Sequence, residues 1–304
     1  MNVAVLLCAY NGERFIKQQL ESIVSQELQP SVVYVYDWGS IDQTVNIVRS
    51  FLSKTNLDFE IVEKDKPIGV AAGFKVGIKD ILSSSRNFDY IALCDQDDIW
   101  LPSKLLEYKN VIDSNISTDL CFSDVSTTDS DGHILNKSRN HTSPYFTSNL
   151  NNLDASVVFA NPVVGMTMLV SRRLADIYSS YEFDLEFMHD WSLVLICHLV
   201  GLRSHYVDKP LVLYRQHSSN VLGNQSKRSR CSLLFSMPGR INRLIAHYNS
   251  IGSKLPNYRK FEHLYYMRVI LGLKMLKPVY KSVLLFFLTL DYFKCKLYFS
   301  SQSR

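Results

Sequence analysis

The stretch of this 304-residue chain most able to do chemistry is Cys94-Asp95-Gln96-Asp97-Asp98-Ile99-Trp100, with three carboxylates in four residues directly after the apolar run Tyr90-Ile91-Ala92-Leu93. Like charges held a few ångströms apart at the end of a buried strand repel, and without a counter-charge one of them is pushed toward its protonated form. A divalent cation removes that penalty. Hard oxygen ligands suit Mg²⁺ and Mn²⁺, and Mg²⁺ commonly divides its coordination between one or two carboxylates and a substrate's phosphates. The stretch is therefore expected to be a metal and phosphate site. The competing account is a solvated acidic loop that caps the helix beginning at Pro102-Ser103-Lys104-Leu105-Leu106.

Two other short stretches carry suitable groups. In Met188-His189-Asp190-Trp191-Ser192-Leu193, Asp190 opens a helix. The helix dipole favours a carboxylate there, so a plain N-terminal cap explains it. Beside a sugar site the same carboxylate would take the proton from an attacking hydroxyl, the base that displacement at an anomeric carbon requires. His189 is the second candidate for that base, against a structural role. Tyr214-Arg215-Gln216-His217 follows a strand, with Asn220 close behind. Imidazole is a borderline metal ligand and guanidinium grips phosphate oxygens in pairs, although taken alone the stretch is better accounted for as a solvated loop. His133, His141, His198, His205, His247 and His263 show no ligand spacing and are given no role. Gly69-Val70-Ala71-Ala72-Gly73 matches neither a P-loop nor GxGxxG, and is expected to let a helix start approach a sheet closely.

Short apolar runs alternate with helical-period segments through the first 125 residues, the pattern of a parallel sheet with crossover helices. Strands are expected at Val3–Cys8, Val32–Asp37, Phe59–Val62, Tyr90–Cys94 and Leu120–Phe122. Phe15, Ile16, Gln19, Leu20, Ile23 and Val24 share one helix face, as do Val45, Val48, Phe51 and Leu52 on the next helix. In such sheets ligands bind beyond the carboxyl ends of strands. Tyr10-Asn11-Gly12, Asp37-Trp38-Gly39-Ser40 and Asp95–Asp98 all fall at those ends, so three loops converge on one edge. Ser123 to Asn152 is polar and expected to be a loop-rich insertion with a hairpin turn at Asp131-Gly132. After it come an expected strand at Met166–Val170, helices at Arg172–Ser179 and Asp190–Val200, and strands at Ser204–Val207 and Leu211–Arg215.

Composition is that of globular material, with 46% apolar and 20% charged residues, which excludes a disordered chain. The six cysteines are scattered without a CxxC spacing, so neither a disulfide framework nor a zinc site is expected. Val3–Cys8 lacks a basic segment before it and ends at Tyr10-Asn11-Gly12, a first strand and not a signal peptide. Charge is unevenly spread. From Gln225 onward 15 Lys or Arg face only Glu262 and Asp291, whereas residues 1–224 hold 18 basic and 27 acidic residues. A basic tail is suited to anionic phosphate or lipid. Its apolar run Val283–Leu290, bounded by Lys281 and Asp291, is far short of the roughly 20 residues that span a bilayer. It fits either an interfacial helix on an anionic leaflet or a helical extension packed on the preceding domain.

Taken in order, Cys8-Ala9-Tyr10-Asn11-Gly12, Asp37-Trp38-Gly39-Ser40-Ile41-Asp42, Asp95-Gln96-Asp97-Asp98-Ile99-Trp100, His189-Asp190-Trp191 and Tyr214-Arg215-Gln216-His217 resemble the motifs of family 2 glycosyltransferases over roughly residues 1–223. The subgroup they look most like contains rhamnosyltransferases and related enzymes of bacterial surface polysaccharide assembly, O-antigen and capsule included. The resemblance implies an α/β fold of GT-A type, a Rossmann-like, mainly parallel sheet flanked by helices. It implies a catalytic domain over 1–223, with a nucleotide-sugar half at 1–125 and an acceptor and base half at 126–223, followed by a basic, aromatic, helical region at 224–304. It implies a dTDP- or UDP-sugar donor, Mg²⁺ or Mn²⁺, inversion at the anomeric carbon, and a saccharide acceptor linked to polyprenyl diphosphate. The setting implied is cytoplasmic and peripheral on the inner face of the cell membrane, with no nucleic-acid partner.

Carried over position by position, Tyr10 and Asp37 lie against the nucleoside, Asp95 near the ribose or sugar, and Asp97 on the metal. Asp190 matches the catalytic base, His217 a group at the metal or diphosphate, and Arg215 a donor contact. Asp98, His189, Trp38 and Asn220 are secondary candidates. The family's second acid, which helps recognise the base, is replaced here by Trp38. An indole stacks on a pyrimidine but accepts no hydrogen bond from it. A second departure, Ser218-Ser219-Asn220, replaces the family's glycine and two asparagines. Two other functions stand against sugar transfer: a non-catalytic glycosyltransferase-like binding or scaffold subunit, and a nucleotidyltransferase, against which the position of Asp190 in a second half speaks.

Overall fold

The structure, a computed structural model, describes residues 1–114, 117–146, 150, 153–183, 188–217, 230–256, 262–272 and 276–302; Asn220 and the two serines before it lie outside the described residues. The elements run β1 (Val3–Ala9), α1 (Ile16–Val24), β2 (Val32–Asp37), α2 (Thr44–Leu52), β3 (Phe59–Glu63), α3 (Val70–Ser83), β4 (Tyr90–Asp95), β5 (Ile99–Trp100), α4 (Lys104–Ser114), β6 (Leu120–Thr128) and β7 (Ile134–Asn136). There follow α5 (Arg139–Thr142), two single 3₁₀ turns at Ala155–Val158 and Gly165–Thr167, β8 (Leu169–Ser171), α6 (Arg172–Ser180), α7 (His189–Leu199), β9 (Ser204–Arg215), α8 (Arg230–Gly252), α9 (His263–Gly272) and α10 (Pro278–Gln302).

The strands form one sheet in the order β3-β2-β1-β4-β8-β6-β9-β5, with β7 on β6. β1 pairs parallel to both β2 and β4, β2 parallel to β3, and β6 parallel to β9; β8 is antiparallel to both β4 and β6. Period-two geometry sorts β1 between two layers. Val3, Val5 and Leu7 join the core under α1 and α2, while Ala4 and Leu6 join the larger core under α3, α6 and α7. Two glycines let α3 lie close to the sheet, as the glycine-bearing start of that helix led one to expect. A methyl group at Gly77 would sit 2.8 Å from Leu6 Cδ1, and one at Gly73 would sit 2.9 Å from Trp38 Nε1.

Three expectations change. Residues 123–128 are not loop: β6 continues through them, paired with β9 as far as Thr128↔Arg215. Their polarity is tolerated because Asp124 is saturated locally, accepting from the backbone N–H of Val125 and Asn140 and from the Ser138 hydroxyl. The hairpin turn does occur, between β6 and β7, with Gly132 at φ 92°. Ser204–Arg215 is one strand and not two, since Pro210 is taken up at a register shift opposite Asp124. The strand expected from Met166 starts only at Leu169, because Gly165–Thr167 turns tightly first.

The basic C-terminal helices have an inner and an outer face. Ile241, Tyr248, Ile251, Tyr266, Ile270, Tyr280, Leu284 and Leu288 are buried in the same cluster as Phe74, Phe159 and Leu193, and the Tyr280 hydroxyl donates to the Phe159 carbonyl at 3.3 Å. This is the packed extension of the two alternatives. The outer face retains Leu264, Tyr265 and Leu271 on α9 and Val279, Phe286 and Leu290 on α10, all exposed. Among the described residues no helix is long and apolar enough to cross a membrane.

Candidate active site

The ends of β1, β2 and β4 are stitched together by polar side chains. Gln96 clamps the first loop to the third: its Oε1 accepts from Tyr10 N at 2.9 Å and its Nε2 donates to Tyr10 O at 3.0 Å. Gly12 is required by that clamp, since a Cβ there would lie 2.1 Å from Gln96 Oε1. Asn11 N donates to Ser40 Oγ, and Asn11 Oδ1 accepts from Ile41 N, joining the first loop to the second. Asp37 is buried and fully occupied within its own turn, where it accepts from Gly39 N, Ser40 N and Ser40 Oγ. It shapes the loop from behind and does not line the cavity in front of it.

That cavity holds about 280 Å³. Asp95, Asp97 and Asp190 bring carboxylates to it, with Tyr10, Trp38, Phe74, Met188, His189 and Tyr214 and the segments 67–70 and 164–166 completing the wall. Asp97 Oδ2 and His217 Nε2 meet at 3.0 Å, and the His217 ring packs on Phe15. Burial, then repulsion from Asp97 and Asp190, raises Asp95 well above the ordinary carboxylate range. Burial likewise pushes Asp190 up to about 6, opposed by the Trp191 amide, which donates to Oδ1 at 2.6 Å, by the charge of Arg139 and by the Gly165 amide.

The remaining sequence candidates fall elsewhere than expected. Arg215 is not free to grip a diphosphate: only 3% of it is exposed. Its guanidinium donates to the Asp97 and Ser130 carbonyls and to Gln18 Oε1, at 3.0, 2.7 and 2.6 Å, and lies over the Phe15 ring. It therefore holds the backbone of Asp97 from behind. Asp98 is also buried, and accepts from Arg215 N at 3.0 Å instead of capping α4. Trp38 is only 7% exposed, packed near Tyr36 and against Gly73, so it presents little area for stacking a base. His189 is buried and stacked on Phe74 with ring centroids 4.0 Å apart. Burial pulls it down to about 3, which makes it too weak a base for the role given it as second candidate.

Several participants carry no motif in the sequence. Arg139 sits in the polar segment after β7, donates to Pro162 O at 3.1 Å and lends its charge to Asp190. Lys104 is fully buried behind the carboxylates, donating to Met166 O at 2.7 Å and lying 3.2 Å from the Trp100 ring centroid. Asp129, Asp131 and His133 come within 4.8 Å of one another at the β6–β7 turn, although His133 had shown no ligand spacing. Asp129 is engaged there by the turn itself, accepting from the amides of Asp131 and His133 and meeting His133 Nδ1 at 3.0 Å.

Comparison with known proteins agrees with this arrangement. The model of the family "Glycosyl transferase family 2" matches residues 4–171. The chain is 30% identical over 224 residues to the dTDP-rhamnosyl transferase RfbG of Shigella flexneri, covering 71% of this chain and 73% of that protein. Its fold is similar to that of residues 1–349 of Staphylococcus aureus TarS in complex with UDP-GlcNAc, with a TM-score of 0.61 at 17% identity over 88% of this chain and 70% of that one. It is also similar to the mannosyltransferase PcManGT of Pyrobaculum calidifontis in complex with GDP-Man and Mn²⁺, with a TM-score of 0.53 at 14% identity over 95% and 85% of the two chains. The chain belongs to glycosyl transferase family 2 and has the GT-A fold, a curled, mostly parallel sheet flanked by helices.

Proposed function

We propose that this chain is an inverting, metal-dependent glycosyltransferase that moves a sugar, rhamnose in the first instance, from a dTDP- or UDP-sugar to a lipid-linked saccharide in bacterial surface polysaccharide assembly. One observation carries the reading: Asp190 and Asp97 open onto one cavity, Asp97 is paired with His217, and Asp95 lies under the charge of both carboxylates. Asp190 takes the proton from the acceptor hydroxyl as that oxygen attacks the anomeric carbon. Its raised value of about 6 suits a base working near neutral pH. The carboxylate–imidazole pair of Asp97 and His217 fits Mg²⁺ or Mn²⁺, a hard oxygen beside a borderline nitrogen, with Asp95 in reserve. When bound, that ion would neutralise charge on the departing diphosphate. Arg215 fixes Asp97, Asp37 fixes the second loop, and Tyr10, 44% exposed, offers a face to the nucleoside. No covalent intermediate is needed, because attack and departure are served by separate groups.

The donor class is supported by the RfbG relative and by the nucleotide sugars in the two similar structures. We take residues 1–223 as the catalytic domain, donor half first, and 224–304 as a region that packs on it by one face and meets an anionic inner membrane leaflet by the other. The exposed apolar stripe and the 15 basic residues of the tail support the membrane part. The deciding experiment supplies Mn²⁺ or Mg²⁺, a panel of dTDP-, UDP- and GDP-sugars and a lipid-linked acceptor, and detects freed nucleoside diphosphate. Turnover abolished by Asp97→Ala and Asp190→Asn is the expected result. Turnover surviving both refutes the site, and no turnover with any pair favours a binding or scaffold subunit.

A further inference from the structure

His189 lines the cavity, is 2% exposed, and neither Nδ1 nor Nε2 has a hydrogen-bond partner among the described residues. A buried polar atom left unpaired is costly, and a natural site normally supplies its partner. The ring is not loosely held: Phe74 of α3 stacks against it, and Gly165 lies so close to Nε2 that a Cβ there would be 2.6 Å away. Phe74 and the start of α3 at Val70 belong to the wall onto which Asp95 and Asp97 open, and Asp190 follows His189 directly in the chain. The imidazole thus lies in the wall of the cavity that Asp95, Asp97 and Asp190 also line, between Phe74 and Gly165. We propose that His189 binds a hydroxyl group of the transferred sugar, holding its anomeric carbon in line with Asp190.

This rests on the sugar-transfer reading of the same cavity. A hydroxyl is the group that fits, because a neutral imidazole offers one donor and one acceptor and a hydroxyl can answer either. Burial keeps the ring neutral, so it does not attract a carboxylate or phosphate as a cation would. The role is binding and orientation, and no proton is transferred to or from the ring.

The test compares wild-type full-length chain with His189→Ala and His189→Gln, in Mn²⁺, by calorimetric titration with dTDP, dTDP-rhamnose, UDP-GlcNAc and GDP-mannose. Removing one or two neutral hydrogen bonds predicts a roughly 10- to 100-fold weaker affinity of His189→Ala for the sugar nucleotide that the wild type prefers. Affinity for the matching diphosphate alone should be unchanged, which also reports that the variant is folded. His189→Gln, which keeps a donor and an acceptor, should recover part of the loss. Equal weakening toward nucleotide and sugar nucleotide, or none toward either, overturns the proposal. If the wild-type chain binds none of the four ligands, the sugar-transfer reading itself falls and takes this one with it. If it distinguishes sugar nucleotide from nucleotide and His189→Ala still does, only this one falls.

Discussion

Gly165→Ala isolates the packing that holds the cavity wall in register. Gly165 is not in the left-handed region, so alanine meets no backbone strain, and the whole effect comes from its methyl group. That methyl would lie 2.6 Å from His189 Nε2, 3.1 Å from Cε1 and 3.8 Å from Asp190 Cβ. Ordinary contact begins near 3.4 Å, so the imidazole must retreat by about 0.8 Å, and Phe74, stacked at 4.0 Å, blocks one way out. Overpacking of this kind costs about 1–3 kcal/mol of stability. The geometric consequence is larger, because misplacing a reacting group by about 1 Å costs roughly 100-fold in rate and Asp190 is the residue bonded to the displaced one. Turnover with saturating donor should therefore fall by about 10- to 100-fold while thermal unfolding still shows a cooperative transition a few degrees lower. Adding Gly165→Ala to His189→Ala, where the clashing ring is gone, should cost little beyond His189→Ala alone. Wild-type turnover in Gly165→Ala, or an equal rate penalty in both backgrounds, would refute the packing argument.

With Asp190 raised to about 6 by burial, only its ionised form accepts a proton, so kcat/KM should climb with pH through about 6; Arg139→Gln removes an opposing charge and should move that limb upward. A limb near the ordinary carboxylate value would exclude Asp190 as the base. Arg215→Gln should lower stability by about 1–3 kcal/mol in urea unfolding, because the part-buried carbonyls of Asp97 and Ser130 lose their donors. Unchanged stability with lost donor affinity would return Arg215 to phosphate binding. Mn²⁺ at about 100 times its dissociation constant should stabilise the wild type by about 2.7 kcal/mol and His217→Ala and Asp97→Ala much less, read as a shift in melting temperature that EDTA reverses. Val279→Glu with Phe286→Glu, at positions 77% and 59% exposed, should reduce co-sedimentation with anionic vesicles without moving the melting temperature. Equal recovery with wild type would remove the stripe as a membrane contact.

The sheet was legible where both faces of a strand are buried, because continuous apolar runs such as Val3–Leu7 and Val32–Tyr36 admit little else. Legibility failed where polar strands are satisfied by partners remote in sequence. β6 looks like loop because Ser123, Asp124 and Ser126 are polar, yet Asp124 accepts from Ser138 and Asn140 at the start of α5 as well as from the Val125 amide of its own strand. The site divides the same way. Residue type and spacing brought out Asp97 and Asp190, which open onto one cavity, and His217, which meets Asp97. They could not say that Arg215 faces away, since a guanidinium suits a backbone carbonyl as well as a phosphate and only the fold decides between them. Arg139 and Lys104 gave no local signal at all. Their relevance is set by Pro162 and Met166, carbonyls 23 and 62 residues further along.

The cations around the carboxylates explain why crowding survives in this fold. Lys104, Arg139 and Arg215 each spend donors on a backbone carbonyl, of Met166, Pro162 and Asp97 respectively. Among the described residues neither Lys104 nor Arg139 forms an ion pair with Asp95, Asp97, Asp98 or Asp190. Burial also pulls Lys104 well below its ordinary value, which weakens the ammonium that lies behind the cluster. Positive charge is thus near enough to be felt at Asp95 and Asp190 but too engaged, or too remote, to neutralise them. A direct salt bridge would have satisfied the carboxylates permanently and closed the cavity to other charges. Asp97 meets His217, and Asp95 stays raised by burial and by its acidic neighbours, the electrostatic condition under which the divalent ion of the proposed transfer would be recruited.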